Sequence, residues 1–352
     1  MDEAAHYKRL WLLINALPQS AALFNREGNL LFINNSFAEL SGIRPDKITY
    51  EVPLPVEAID SKLSLFIFEA LRSSTNLESE ITIEKNKQTK ILLAKSSHLV
   101  SDESPTILVL FDDISRIKHL EQIRQDFVSN VSHELRTPVT SIIGASEALM
   151  SGALFEPQEA KKFSEIIHRQ SDRLSRIIED LLALSKIEAE SNANSIECTE
   201  QDLSAIIRAA VRNCEQRAHE LGIDLSVSLK AEIRLSANRT LLEQAVCNLI
   251  ENAVEHSDRG AIVSLELEAC DNQAIISVID RGCGIPAEHL GRVFERFYRV
   301  DKARSRKRGG TGLGLAIVKH VALVHHGQVE VVSEIGRGSK FSIFLPRLIT
   351  QY

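Results

Sequence analysis

Apolar residues change their period twice along this chain, and each change marks a different kind of element. Up to Phe111 the apolar runs are short. His6–Leu17 has helical spacing. Ala21–Phe24 and Leu30–Ile33 read as strands around a polar turn that ends in Gly28-Asn29. Asn34-Asn35-Ser36 then precedes Phe37–Leu40, a helix start with Asn or Ser as N-cap. Pro53 and Pro55 mark a loop, and Leu63–Leu71 reads as a helix. Glu80–Glu84, Lys90–Lys95 and Thr106–Phe111 read as strands, the first alternating Ile81 and Ile83 with polar residues. Helical spacing then takes over. Ser115–Gln125 contains neither Gly nor Pro and places Ile117, Leu120 and Ile123 on one stripe that runs on to Phe127. Val131, Leu135, Pro138, Ile142, Ala145 and Leu149 continue at 3/4 spacing. Ser151-Gly152 closes that helix and Pro157 opens the next, where its missing N–H costs nothing. Phe163, Ile167, Gln170, Leu174, Ile177, Leu181 and Leu184 repeat the spacing.

From Ile196 onward helices and strands alternate. Asp202–Leu221, Thr240–His256 and Leu315–Val324 read as helices. Ile223–Leu229, Ile262–Glu268, Ala274–Asp280, Gln328–Val332 and Lys340–Leu345 read as strands. The expected fold is therefore multidomain. A small α+β domain (1–114) comes first, then a helical linker (115–126). A two-helix hairpin follows (127–193), and the last domain (194–352) is an α/β sandwich with one sheet covered by helices. The hairpin has too much apolar surface to stand alone. Two copies would make a four-helix bundle, so a homodimer is expected.

His133 lies two residues from both Val131 and Leu135, so it points roughly opposite the apolar seam. A core histidine would sit on the seam. An accessible imidazole beside Glu134 is a nucleophile near neutral pH with a carboxylate to orient it or take its proton. Pro138 cannot donate to the carbonyl of Glu134, so a bend is expected just beyond His133.

Four motifs follow in order in the α/β region. Asn248 and Asn252 share a helix face, and side-chain amide oxygens there suit Mg²⁺ that borrows its other ligands from phosphate and water. Asp280-Arg-Gly282-Cys-Gly284-Ile-Pro stands at a strand end, where a carboxylate can accept from an adenine amino group and glycines let backbone approach a flat base. Phe294-Glu-Arg-Phe297-Tyr298-Arg299 sets aromatics beside a cation. Gly309-Gly310-Thr311-Gly312-Leu313-Gly314 opens a helix, offering free N–H groups to polyphosphate. Between these two, Lys302, Arg304, Arg306, Lys307 and Arg308 are placed to act as a lid over phosphate. The glycine loop is not a P-loop, because no Lys-Ser/Thr follows it. Nor does it open the fold after the first strand, as a dinucleotide site would.

Composition narrows the partners. A net charge of −7 argues against a nucleic-acid surface. Five cysteines, with no CxxC spacing, suggest reduced thiols rather than a disulfide framework or zinc site. No apolar run approaches the roughly 20 residues of a membrane-spanning helix, and MDEAAHYKRL has no signal-peptide pattern. The expectation is a soluble, cytoplasmic protein, with a membrane or soluble partner relaying any outside signal.

Taken together, residues 116–346 resemble a bacterial two-component sensor histidine kinase. The H box falls on His133–Pro138, the N box on Asn248–His256, the G1 box on Asp280–Pro286, the F box on Phe294–Arg299 and the G2 box on Gly310–Leu315. Gly336-Arg-Gly338-Ser339 resembles the last glycine box, and the pattern is similar to the phosphate-sensing subgroup. Residues 25–42 and 111–115 resemble a PAS sensor domain. No cysteine precedes Cys198, which excludes a cysteinyl–flavin adduct, and a haem ligand would have to be His6 or His98; a dimerising or ligand-modulated module is expected instead.

The resemblance implies autophosphorylation of His133 by ATP, then transfer to an aspartate on a response-regulator receiver domain. Glu134 would be base or orienter, and Thr137 would orient a water for dephosphorylating the regulator. ATP would be held by Asn248, Asn252, His256, Asp280, Gly282, Gly284, Phe294, Tyr298, Arg299, Gly310, Thr311, Gly312, Leu313 and Gly314, with Mg²⁺ on Asn252. Two alternatives remain: a conformational ATPase of the gyrase and chaperone type, and a scaffold with a decayed kinase domain. The first needs a carboxylate to activate water, and Asn248 stands where it would be. The full set of glycines, with Asp280, speaks against the second. Two positions depart from the family pattern. Glu255 is acidic where a basic residue is common, so the lid compensates or the side chain faces away. Asn238 replaces an Asp as N-cap and serves equally well.

Overall fold

The structure is a computed structural model that describes residues 12–43, 52–54, 59–85, 88–99, 106–192, 195–230, 232–270, 272–300 and 310–347. The chain divides into two compact units, Met1–Asp126 and Phe127–Tyr352.

In the first unit the two apolar runs of the sequence become β1 (Ser20–Asn25) and β2 (Asn29–Ile33). Helix α1 (Asn35–Ser41) follows, then the two-residue strand β3 (Val52–Pro53) and helix α2 (Ser61–Arg72). Strands β4 (Glu78–Lys85), β5 (Gln88–Leu99) and β6 (Thr106–Asp113) complete an antiparallel sheet of order β3-β2-β1-β6-β5-β4. β1 lies inside the sheet and is buried on both faces, which is why it reads as a continuous apolar run. Ala22 and Phe24 join one core with Phe37, Leu63, Ile67, Val109 and Phe111. Ala21 and Leu23 pack against Ile14 on the opposite face, with Leu17 beside them. His98, one of the two histidines considered as a haem ligand, has its Nε2 2.8 Å from the carbonyl of Ser73. His6 lies outside the described residues.

Asn34 ties this unit together. It is 1% exposed and is the N-cap of α1, its Oδ1 accepting from the N–H of Phe37 at 2.8 Å and of Ala21 at 2.9 Å. Its Nδ2 donates to the carbonyls of Gln19 (2.7 Å) and Ile14 (3.2 Å). One amide thus serves a helix start, a strand start and the segment that covers the second face.

In the second unit, α3 (Ser115–Met150), which begins in the first, and α4 (Pro157–Asn192) form the hairpin, joined by a 3-10 turn at Ala153–Phe155. Pro138 lies inside α3, and the helix runs through it to Met150. Strands β7 (Thr199–Asp202) and β9 (Arg234–Ala237) pair as a small antiparallel ribbon that the apolar pattern does not announce. Around it are helices α5 (Leu203–Leu221) and α6 (Arg239–His256) and strand β8 (Asp224–Leu229). β10 (Ile262–Cys270), β11 (Gln273–Ile279), a short α7 (Ala287–Leu290), α8 (Gly314–Val324), β12 (Gln328–Glu334) and β13 (Gly338–Pro346) follow. The main sheet has the order β12-β13-β11-β10-β8, parallel only between β10 and β8.

Alternation decides which face is covered. Val263, Leu265 and Leu267 of β10, Ala274, Ile276 and Val278 of β11, and Phe341, Ile343 and Leu345 of β13 are buried in one core with α5, α6 and α8. The opposite face carries polar pairs such as Ser277 with Ser342, their hydroxyls 2.9 Å apart. Leu184 and Ile187 of α4 belong to the same core, so the second helix of the hairpin is built into this domain.

Replacing Asn34 by Ala should destabilise the first unit by about 2–4 kcal/mol, because a cap is lost and buried backbone groups are left unpaired. Denaturant unfolding of the full chain should then show an early transition in the first unit, with nucleotide affinity of the second unchanged.

Candidate functional site

The second unit holds a cleft of about 1050 Å³ bounded by α6, the loop after β11 and the loop before α8. Helix α6 supplies one wall because Asn248, Asn252 and His256 recur every four residues and so share a face. Its start is fixed from both sides. Asn238 is the N-cap, its Oδ1 accepting from Leu241 N at 3.1 Å. The N–H of Asn238 in turn donates to His325 Nε2 at 2.9 Å, while His325 Nδ1 lies 2.7 Å from the Val321 carbonyl. An N–H can only donate and a carbonyl only accept, so this imidazole is neutral with its proton on Nδ1. Burial, which pushes its pKa down, agrees.

The opposite wall begins where β11 ends. Asp280 is 4% exposed. Its Oδ1 accepts from the N–H of Gly282 at 2.8 Å and of Ser339 at 3.2 Å. Burial pushes its carboxyl pKa up, and those two N–H groups oppose the shift. The turn that folds back on Asp280 has no room for side chains. A Cβ at Gly282 would lie 2.2 Å from the carbonyl oxygen of His256, and one at Gly284 (φ +71°) would lie 2.1 Å from that of Glu334. The strand-end acid and its glycines are therefore packed backbone against backbone, and Asp280 and Gly284 line the cleft.

The glycine loop closes the third side. Gly310, Thr311, Gly312 and Gly314 line the cleft. Asn248 Nδ2 donates to the carbonyl of Gly314 at 3.3 Å, and Phe297 N donates to that of Gly312 at 2.8 Å. The aromatic segment is thus bonded to the loop. Tyr298 and Arg299 reach the cleft, and the Tyr298 hydroxyl lies 2.7 Å from His289 Nδ1. Three residues expected at the ligand are outside the lining. Gly282 braces Asp280 through its N–H, Leu313 is fully buried in the core, and Phe294 packs edge-on against Phe341. Sequence motif membership could not separate them from the cleft-facing residues, because that depends on which way each local turn presents them. The basic segment Lys302, Arg304, Arg306, Lys307 and Arg308 lies outside the described residues.

On the hairpin His133 is exposed, as its position off the apolar seam requires. The Thr137 hydroxyl donates to the His133 carbonyl one turn back at 3.2 Å. Glu134, expected as base or orienter of His133, meets two arginines. Its Oε2 lies 2.7 Å from Nη2 of the buried Arg173 on α4 and 3.6 Å from Nη1 of Arg299. Two guanidinium groups hold this carboxylate, one from the hairpin and one from the cleft.

Further hairpin contacts were not legible as motifs. Asp180 Oδ2 accepts from the Thr311 hydroxyl at 2.6 Å, and burial pushes the Asp180 pKa up. Glu188 pairs with Arg296 and lies 3.3 Å from His320 Nε2. The rings of Phe127 and Phe297 stand 5.9 Å apart. Charged residues on one face of a long helix are ordinarily solvated, so only their contacts single these out.

Glu255 does not face away from the loop. A Cβ at Gly310 would lie 3.7 Å from Glu255 Oε2, and Glu255 lines the cleft. Burial first, then the neighbouring Glu251, pushes its pKa up to about 7, against the pull of Arg176, Arg217 and Arg299.

With this geometry in hand, the relatives are informative. Residues 237–349 match the family of histidine kinase-, DNA gyrase B- and HSP90-like ATPases, and residues 123–190 match the His Kinase A (phospho-acceptor) domain. The sensor-like histidine kinase SenX3 of Mycobacterium tuberculosis is 33% identical over 350 residues, covering 97% of this chain and 81% of the relative. The sensor protein SrrB of Staphylococcus aureus is 30% identical over 295 residues, covering 83% of this chain and 50% of SrrB. Among solved structures, histidine kinase ThkA in complex with response regulator protein TrrA shares the fold, with a TM-score of 0.51 at 19% identity over 96% of this chain and 98% of that one. The cleft lies mostly within the segment that matches the ATPase family, and the chain is a protein histidine kinase: it belongs to the sensor histidine kinases of two-component systems.

Proposed function

We propose that His133 takes the γ-phosphoryl group of ATP and passes it to an aspartate of a response-regulator receiver domain. The observation that carries this reading is an exposed imidazole on the helix whose next residue, Glu134, already meets Arg299 of the ATP cleft. Transfer needs in-line approach of Nε2 or Nδ1 to phosphorus and neutralisation of spreading negative charge. Arg299 would supply part of that charge. Glu134 would become free to take the imidazole proton only when its arginine partners turn to phosphate. Thr137, one turn from His133, would position water for dephosphorylating the regulator.

Asp280 would accept from the adenine amino group and Asn248 would hold the glycine loop. The amide of Asn252 suits Mg²⁺, since it is a neutral oxygen donor on the cleft wall whose remaining ligands would be phosphate and water. Mg²⁺, when bound, neutralises phosphate charge. A neutral Asn248, bonded to Gly314, does not suit activation of water, which favours transfer to histidine over a conformational ATPase.

A second copy of the chain would complete the hairpin. Val139 (40% exposed), Ile143 (52%), Ile178 (45%) and Leu182 (66%) leave an apolar face that a four-helix bundle would bury. In the first unit the antiparallel run β2-β1-β6-β5-β4, with α1 and α2 between β2 and β4, supports a PAS-type sensor. Among the described residues no helix is long and apolar enough to cross a membrane. Use of ATP and a receiver domain would place the kinase units in the cytoplasm, with a membrane or soluble partner as a source of signal.

Two outcomes test the reading. His133→Ala should abolish incorporation of label from γ-labelled ATP while leaving ATP affinity intact; acid-stable label, or label persisting in the variant, would overturn it. Glu255 is ionised above its pKa of about 7 and repels polyphosphate there, and becomes neutral below it. Glu255→Gln should therefore bind ATP roughly fivefold more tightly than the parent at pH 8.5, a like-charge term of about 1 kcal/mol, and the ratio should fall toward one at pH 6. Calorimetric titration across that range reads it directly.

A further inference from the structure

Two cysteines meet behind the ATP cleft, and the kinase reaction uses neither. Cys214 lies on α5 and Cys247 on α6, the residue before Asn248. Cys214 Sγ is 4.0 Å from the Cys247 carbonyl, and Cys247 Sγ is 3.8 Å from the carbonyl of Ala210, one turn before Cys214. Each sulfur thus faces the other helix's backbone across the α5–α6 seam. Their exposures differ. Cys214 is buried, whereas Cys247 lines the cleft and can be reached from it.

We propose that Cys214 and Cys247 form a redox-sensitive dithiol whose oxidation to a disulfide lowers the affinity of the cleft for ATP. Cys247, reached from the cleft, is the attacking sulfur, and the buried Cys214 is the resolving one. The oxidant is a peroxide. Cys247 sulfur attacks one peroxide oxygen; an S–O bond forms, the O–O bond breaks, and the leaving hydroxide takes a proton to become water. Cys214 sulfur then attacks the sulfenic sulfur of Cys247. An S–S bond forms, the S–O bond breaks, and the second water leaves with the proton from Cys214. Two thiols are oxidised by two electrons and one hydrogen peroxide is reduced to two waters.

The bridge must bring the sulfurs to about 2.05 Å, which draws α6 toward α5. α6 carries Asn248 and Asn252, and the Asn248–Gly314 hydrogen bond is already 3.3 Å long. A shift of the helix lengthens it further and releases the glycine loop. The proposal rests on ATP binding in the cleft and not on His133 as acceptor, so its readout is affinity rather than phosphohistidine.

The full chain, freed of reductant, is treated with hydrogen peroxide, digested without reduction and mapped by mass. A bridged Cys214–Cys247 peptide is expected, together with a roughly tenfold loss of ATP affinity, about one hydrogen bond's worth. Dithiothreitol should reverse both. ATP present during oxidation should slow the bridge, because it covers the wall that holds Cys247. Cys214→Ser should bind ATP normally under reduction and retain that affinity better than the parent after peroxide. Absence of the bridged peptide at peroxide doses that oxidise the exposed Cys270 and Cys283 overturns the proposal. So does a bridge that leaves ATP affinity unchanged. Should Cys214→Ser fail to fold, mapping and affinity on the unsubstituted chain decide the matter.

Discussion

A carboxylate taken out of water must be given donors, and the ATP domain is built around doing so for Asp280. Two backbone N–H groups, from Gly282 and Ser339, reach one of its oxygens. To deliver them, the turn after β11 has to lie against the end of α6 and against the β12–β13 turn, at distances only glycine permits. The acid, the glycines and the helix end are therefore one constraint. Moving any of them leaves a buried charge or a steric collision. The same packing fixes the cleft's width, since α6 and the turn are its two walls.

The second organising feature is charge shared between hairpin and cleft. Glu134, beside the phospho-acceptor position, is neutralised by Arg173 and Arg299. Thr311 of the glycine loop is bonded to Asp180, and Arg296 to Glu188. These contacts use groups that phosphate chemistry also wants: a cation, a loop hydroxyl and the carboxylate next to His133. Phosphate in the cleft would compete for Arg299 and so alter the pairing of Glu134. On the proposed reading, a shared guanidinium would couple nucleotide binding to the surroundings of His133.

Most elements were legible because their periodicity is imposed by burial. β10, β11 and β13 alternate because one face of the sheet is covered by helices and the other is not. The hairpin helices keep 3/4 spacing, and the stripe is half-buried to buried, with Ala145, Ile177 and Leu184 among its buried members. What escaped was structure without such a face, namely the β7–β9 ribbon and the short α7. Pro138, where a bend was expected, lies within α3, which continues to Met150.

For the site, residue type and order along the chain were enough to single out His133 on the hairpin and the glycine-rich loops that border the cleft. A strand-end acid followed by glycines, or glycines at a helix start, carries its chemistry in its own spacing. Which motif members face the ligand was decided by tertiary structure alone: Asp280 and Gly284 line the cleft, while Leu313 and Phe294 serve the core. The partners Asp180, Arg173, Arg176 and Glu188, and the pairing of Cys214 with Cys247, were likewise decided there. Each joins residues at least thirty positions apart or from different helices. A single charged or sulfur-bearing residue on a helix looks the same in sequence whether it meets water or a partner, and only the packing of one helix on another distinguishes the two.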